Sequence, residues 1–102
     1  MLRTTALEKT AKVILQLEGD LTGAWVADFL IAWRAARRRL HARTLQIDLS
    51  AVGQIDKAGK YLLALVYCHG SQLTGSGIAT RHLIRTIAHE WPGASMHGNK
   101  EA

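Results

Sequence analysis

Cysteine and long apolar runs are almost missing from this chain of 102 residues, and each shortage excludes a class of protein. Cys68 is the only cysteine, which rules out an internal disulfide and a zinc site built from several thiolates. No stretch approaches the ~18 consecutive apolar residues that a membrane span needs. Residues 1–5 also lack the apolar segment of a secretory signal. We therefore expect a cytoplasmic protein with no membrane insertion.

Motifs for catalysis and for cofactor binding are missing as well. The sequence has no glycine-rich phosphate loop opening a helix, no Gly-x-Ser-x-Gly elbow and no His-Glu-x-x-His. Its histidines are scattered, and no pair has the spacing of metal ligands on a shared face: His41, His69, His82, His89 and His97. The expectation is a protein that is not an enzyme and that needs neither a metal nor a cofactor.

What remains is the composition of one small globular domain. Hydrophobic residues make up 48% of the chain and charged residues 21%, and a chain of this length has room for a single core. We expect one domain over residues 1–92, whose last helix is stopped by Pro92. Residues 93–102 are polar and contain glycine, which predicts a flexible C-terminal tail.

Hydrophobic periodicity predicts the element order strand, strand, helix, strand, helix, strand, helix. Strands are expected over residues 2–7, 12–18, 44–50 and 78–80. Helices are expected over residues 23–40, 57–69 and 82–91. Thr22 is the predicted N-cap of the first helix, and Asp56 that of the second. Strand–helix–strand connections favour parallel neighbours, whereas the first two strands form a hairpin. The predicted fold is therefore α/β, with a mixed sheet and with its helices on one face.

Positive charge is concentrated near the end of the first predicted helix. The net charge is +5, and the basic cluster consists of Arg34, Arg37, Arg38, Arg39 and Arg43. Cations complement the dipole at a helix C-terminus, so a solvated helix end accounts for the cluster. A dedicated anion site accounts for it too, and both interpretations stay open. Nucleic-acid binding is a weaker hypothesis, because a single-strand groove needs interleaved aromatic side chains.

Two motifs occur in order along the chain. Residues 47–59 are Ile-Asp-Leu-Ser-Ala-Val-Gly-Gln-Ile-Asp-Lys-Ala-Gly, and residues 17–22 are Leu-Glu-Gly-Asp-Leu-Thr. The first resembles the central motif of the STAS family, named for sulfate transporters and anti-sigma-factor antagonists. The second is similar to the family's turn into its first long helix. The resemblance covers roughly residues 11–91 and implies a mixed sheet of four or five strands, with helices packed mainly on one face.

The resemblance also implies a protein-binding surface at the start of the second long helix: Asp56, Lys57, Ala58, Gly59 and Lys60. In family members that antagonise anti-sigma factors, the serine after the aspartate is phosphorylated, which adds ~1.5–2 negative charges and breaks the complex. Lys57 occupies that position and Ala58 follows it, so this serine switch is lost. We expect Gly59 to let a partner backbone approach. Lys57 and Lys60 are either tolerated surface lysines or contacts for an acidic partner.

These features lead to two functional hypotheses. The first is a regulatory adaptor of bacterial signal transduction, without enzymatic activity, that binds an anti-sigma kinase-like protein or another regulatory protein. The second, which the same resemblance implies, is an accessory subunit of a lipid-transport ATPase. A homodimer is compatible with either hypothesis, and the sequence identifies neither the partner nor the pathway.

Overall fold

The computed structural model describes residues 1–90, and its elements follow the predicted order. The strands are β1 (Leu2–Glu8), β2 (Lys12–Leu21), β3 (Thr44–Ile55) and β4 (Gln72–Thr74). The helices are α1 (Trp25–Arg38), α2 (Lys57–Cys68) and α3 (Ile78–Glu90). The expected tail over residues 93–102, and Pro92 before it, lie outside the described residues.

The strands form one mixed sheet in the order β1-β2-β3-β4. β1 pairs antiparallel with β2 across a tight turn, in which the Lys9 amide donates to the Lys12 carbonyl at 2.8 Å. β2, β3 and β4 are parallel neighbours, because α1 and α2 carry the chain back between them. The α/β fold with a mixed sheet of four strands confirms the predicted fold class.

The core lies between one face of the sheet and the helices. Alternate positions of the central strands are buried: Val13, Leu15 and Leu17 on β2, and Leu45, Ile47 and Leu49 on β3. The helices cover them with Phe29, Trp33, Ala36, Leu62, Leu63, Ala64, Val66 and Ile87, all in the same hydrophobic cluster. Since these strand positions share one face, the helices of residues 1–90 gather on that face, as the sequence predicts.

The fourth strand is not where the sequence places it. Residues 78–80 begin α3, and the strand is Gln72–Thr74. Three residues are too few to show alternation, and this strand depends on distant partners: it pairs with residues 46–48 of β3. The Thr74 hydroxyl adds a hydrogen bond to the Ile47 carbonyl at 3.3 Å. The prediction was wrong because a short edge strand is defined by pairing rather than by its own pattern.

β3 is longer than predicted. The strand expected over residues 44–50 continues to Ile55, through residues that were not expected to form a strand. Its second half pairs with residues 18–21 of β2. Two register shifts, between Gln16 and Glu18 and between Gly19 and Asp20, interrupt that pairing. A bulge adds an unpaired residue and breaks the period of two, so the strand is hidden from a pattern-based prediction.

Candidate functional site

The two motifs identified in the sequence meet where the central strands β2 and β3 have their carboxyl ends. β2 and β3 end together there, with Leu21 opposite Ile55. The Asp56 amide donates to the Leu21 carbonyl at 3.3 Å, which ties the end of one strand to the residue after the other. We call residues 21–23 and 55–59 the junction. α2 starts within this junction, at Lys57, and α1 starts just after it, at Trp25.

Asp56 is the polar centre of the junction. Its Oδ1 accepts a hydrogen bond from the Gly59 amide at 2.8 Å, and its Oδ2 accepts one from the Gly23 amide at 2.8 Å. The Gly23 bond, followed by the Gly59 bond, lowers the pKa of the Asp56 carboxyl below its ordinary value of 3.8, because both favour the charged form. The predicted capping role of Asp56 is confirmed, and the bond to Gly23 extends it to the turn before α1.

Thr22 does not cap α1. The N-cap residue is Ala24, and no side chain accepts a hydrogen bond there. The Thr22 carbonyl instead accepts from the Trp25 amide at 3.0 Å. Gly23 has a φ of +55°, a left-handed conformation that glycine adopts at little cost. The prediction was wrong because the turn, with Gly23 held by Asp56, moves the N-cap position two residues beyond Thr22, to Ala24.

Gly59 is packed inside the junction rather than presented to a partner. It is buried, and a Cβ at this position would overlap the Leu21 carbonyl oxygen and press on the side chains of Leu21 and Ile55. The absence of a side chain lets α2 approach the end of β2 closely. The expected role of Gly59 in admitting a partner backbone is therefore wrong, and its role is to hold the fold.

The outer side of α2 is the accessible part of the predicted binding surface. Lys57 and Ala58 are exposed, and Lys60 is partly exposed. A shallow recess of about 510 Å³ lies here, lined by Lys57, Ala58, Lys60, Tyr61 and Glu90. We call these five residues the α2 surface. The structure thus brings three of the predicted binding residues together, while Asp56 and Gly59 support them from inside.

Tyr61 and Glu90 were missed by the sequence analysis. Tyr61 is 68% exposed, and it lies one helical turn after Lys57. An aromatic residue four positions after a predicted contact residue lies on the same helix face, and that spacing was a usable signal. Glu90 is the last residue of α3. No local pattern connects it to α2, so only the tertiary fold could reveal it.

The basic cluster separates into two groups. Arg43 is tied into the framework, because its guanidinium donates to the Leu40 carbonyl at 2.7 Å, the Lys9 carbonyl at 3.1 Å and Glu8 Oε1 at 3.1 Å. Arg39 pairs with the same glutamate at 3.4 Å. The other members, Arg34, Arg37 and Arg38, line a shallow recess of about 280 Å³ on α1.

Residues 1–90 contain neither a cluster of metal-ligand side chains nor a membrane-spanning helix. His, Cys, Asp and Glu side chains in this range nowhere form a group of three or more able to hold a metal ion. No helix in the same range is both long and apolar enough to cross a membrane.

Comparison with known proteins supports the fold. No protein-family profile matches this chain, and no curated protein matches it. Among solved structures, an uncharacterized protein of the DUF3478 family from Shewanella loihica PV-4, described as having a SpoIIAA-like fold, aligns with a TM-score of 0.57 and 11% identity. The alignment covers 87% of this chain and 79% of that one. The chain therefore has a SpoIIAA-like, or STAS-type, fold.

A second structure, described as Mglu, aligns with a TM-score of 0.58 and 22% identity over 72% of this chain. This chain spans 19% of the length of that one. At these identities the similarity concerns the fold alone.

Proposed function

We propose that this protein is a regulatory adaptor that binds a protein partner through the α2 surface and catalyses no reaction. The observation that carries the proposal is the exposed Tyr61 beside Lys57 and Lys60, on a helix whose start is fixed by Asp56. Tyrosine contributes a large contact area and a polar tip, and it is enriched among residues that dominate binding energy. The setting that we propose is signal transduction in the bacterial cytoplasm.

The α2 surface carries two lysines, Lys57 and Lys60, against one acidic residue, Glu90, and this excess of positive charge indicates the chemistry of the partner. Lys57 lies in the first turn of α2, where no acidic residue is present. A cation there opposes the helix dipole at a cost of ~0.3–1 kcal/mol, part of which the Asp56 carboxylate at the N-cap offsets. An acidic group of a partner would offset that cost, and Tyr61 would pack against an adjacent apolar group. We therefore expect an acidic partner surface with an apolar centre.

The same residues determine how binding is controlled. Neither Lys57 nor Ala58 has a hydroxyl group, so this position cannot accept the phosphate that serine accepts in anti-sigma-factor antagonists. The proposal is an adaptor whose binding does not respond to serine phosphorylation at the start of α2. Control would then come from the partner or from the amount of this protein.

Photo-crosslinking in the native host tests the proposal. A photoreactive amino acid replaces Tyr61 on the α2 surface. A control variant carries it at Thr5, which is exposed on β1. We expect one protein to crosslink from position 61 and not from position 5, and we expect Lys57→Glu in the same chain to abolish that adduct. Equal adducts from both positions, or an adduct that survives Lys57→Glu, would contradict the proposal. Mass spectrometry of the adduct then separates a signalling partner from a transport ATPase.

A further inference from the structure

We propose that Arg34, Arg37 and Arg38 form a binding site for a phosphate-bearing anion on the outer surface of α1. The site does not depend on the function proposed for the α2 surface. It uses other residues, on another helix, and its ligand is a small anion rather than a protein.

Ion pairing distinguishes these three arginines from their neighbours. Glu8 is 3.1 Å from Arg43 and 3.4 Å from Arg39, so one carboxylate occupies two members of the basic cluster. Within residues 1–90, Arg34, Arg37 and Arg38 form no ion pair, although all three are exposed and line the same recess. Three positive charges therefore face one space, and no carboxylate in the described part of the chain pairs with them.

Arg37 is held in place by a contact with the core. Its guanidinium carbon lies 4.8 Å from the centre of the Trp33 ring, in the geometry of a cation–π interaction. Trp33 is itself fixed, since it is buried and its Nε1–H donates to the Ser71 hydroxyl at 2.9 Å. The His69 ring packs against the Trp33 ring in a T-shaped arrangement, with the ring centres 5.7 Å apart. A guanidinium that is already oriented loses less conformational entropy on binding.

The size and chemistry of the recess point to phosphate. A volume of about 280 Å³ is at the lower limit of the ~300–1,000 Å³ typical of ligand pockets, which suits a small anion better than a folded segment of protein. Guanidinium groups match the oxygens of a phosphate in pairs. Because the recess is shallow and exposed to water, binding should weaken as the salt concentration rises.

Two sources could supply such a group. One is a free anion, for which inorganic pyrophosphate is the probe. The other is a lipid headgroup, for which the probe is a phosphatidylcholine vesicle with or without a phosphoinositide. Ile31 is 67% exposed and lies three positions before Arg34, so it shares that helix face and would meet a membrane together with the arginines.

Titration of the protein followed by NMR tests the site. We expect pyrophosphate to shift the amide signals of α1 around Arg37 and the indole N–H signal of Trp33. Arg37→Gln should weaken binding ~10-fold or more. Arg37→Lys keeps the charge but removes the planar guanidinium group with its paired N–H donors, and it should still weaken binding several-fold. Arg39→Gln removes an equal charge from the residue just after α1, outside the recess, and it should change binding by less than ~2-fold.

The controls make each outcome decisive. Thermal melts establish that each variant is folded. If an Arg37 variant has a lower melting temperature than the wild type, the titration uses the double variant Arg34→Gln, Arg38→Gln instead. Those two side chains do not stack on Trp33 in the structure. If the protein binds vesicles only when they contain the phosphoinositide, the ligand is a lipid headgroup. If it binds pyrophosphate but not these vesicles, the ligand is a free anion. Binding of neither probe, or equal weakening by Arg39→Gln and Arg37→Gln, would overturn the proposal.

Discussion

The starts of α1 and α2 lie at the same edge of the sheet, yet they are built differently. α2 has its own cap, because the Asp56 side chain accepts a hydrogen bond from the Gly59 amide. α1 has no side-chain cap, and the turn before it is held by the second oxygen of Asp56, through Gly23. One carboxylate therefore organises both starts, although it is 33 positions away from Gly23 in the sequence.

The comparison shows where the molecule tolerates change. The inner side of the α2 start, with the buried Gly59 and the partly exposed Asp56, fixes the position of the helices. The outer side, with Lys57 and Tyr61, contributes little to packing because both residues are exposed. Substitutions on the inner side should therefore affect folding, whereas substitutions on the outer side should affect binding.

The largest effect is expected for Gly59→Ala. Its Cβ would overlap the Leu21 carbonyl oxygen, and this backbone atom cannot move away cheaply because it accepts a hydrogen bond from the Asp56 amide. We expect the free energy of unfolding to fall by about 3 kcal/mol, measured by urea denaturation. Gly53→Ala is the matched control, because a Cβ there has only ordinary contacts, the nearest at 3.4 Å from Asp20 Oδ1. Equal stability losses in the two variants would show that close packing at Gly59 is unimportant.

A smaller effect is expected for Asp56→Asn, which weakens the starts of both helices. Asparagine has one acceptor oxygen and an NH2 group in place of the other, so one of the two hydrogen bonds from backbone amides is lost and the other loses its charge. The melting temperature should fall by ~8 °C at neutral pH. Asp20→Asn is the control: its nearest cation is the N-terminal amine at 4.0 Å, and an exposed pair contributes little.

The pH dependence of Asp56→Asn follows from the lowered pKa of Asp56. The unfolded carboxyl titrates near its ordinary value of 3.8, and the folded one titrates below it. The stabilisation by Asp56 is therefore complete above the unfolded pKa and is lost as the pH falls through the folded pKa. The difference in melting temperature between the wild type and Asp56→Asn should shrink in that acidic range. A constant difference at all pH values would mean that the charge is not what stabilises the junction.

The other end of α1 offers a contrast to its uncapped start. Arg43 donates to the Leu40 carbonyl near the end of the helix, and it also bonds Glu8 and the Lys9 carbonyl. Arg43→Gln should lower the free energy of unfolding by about 1 kcal/mol. Arg39→Gln breaks only an exposed ion pair and should cost less than ~0.5 kcal/mol. Chemical denaturation of both variants checks the order, and a reversed order would contradict the framework role of Arg43.

Part of this fold could be predicted because its signals are local. The alternation of Val13, Leu15 and Leu17 can be recognised within a window of seven residues. The predicted cap at Asp56 needs a similarly short window. The bond from Asp56 to Gly23 and the packing of Gly59 on Leu21 were not predictable from local patterns. These contacts form only because β2 and β3 end side by side, and no periodicity in the sequence predicts where the two strands end relative to each other.

The α2 surface was partly predictable for the same reason. Lys57, Ala58 and Lys60 follow a motif within one helix turn, so the resemblance locates them. Glu90 reaches the same recess through the packing of α3, whose start the sequence analysis placed four residues too late.

The most direct test of the central claim, that the α2 surface binds a partner, is a paired measurement on Lys57→Glu. The partner is the protein captured from position 61, and the two quantities are melting temperature and dissociation constant. An acidic residue in the first turn suits the helix dipole, so stability should rise by ~0.3–1 kcal/mol. Affinity should fall ~10-fold or more, because a negative charge then faces an acidic partner. Lys9→Glu, which changes the net charge equally on the β1–β2 turn, should leave affinity within ~2-fold. Unchanged affinity in Lys57→Glu, or an equal loss in Lys9→Glu, would contradict the account.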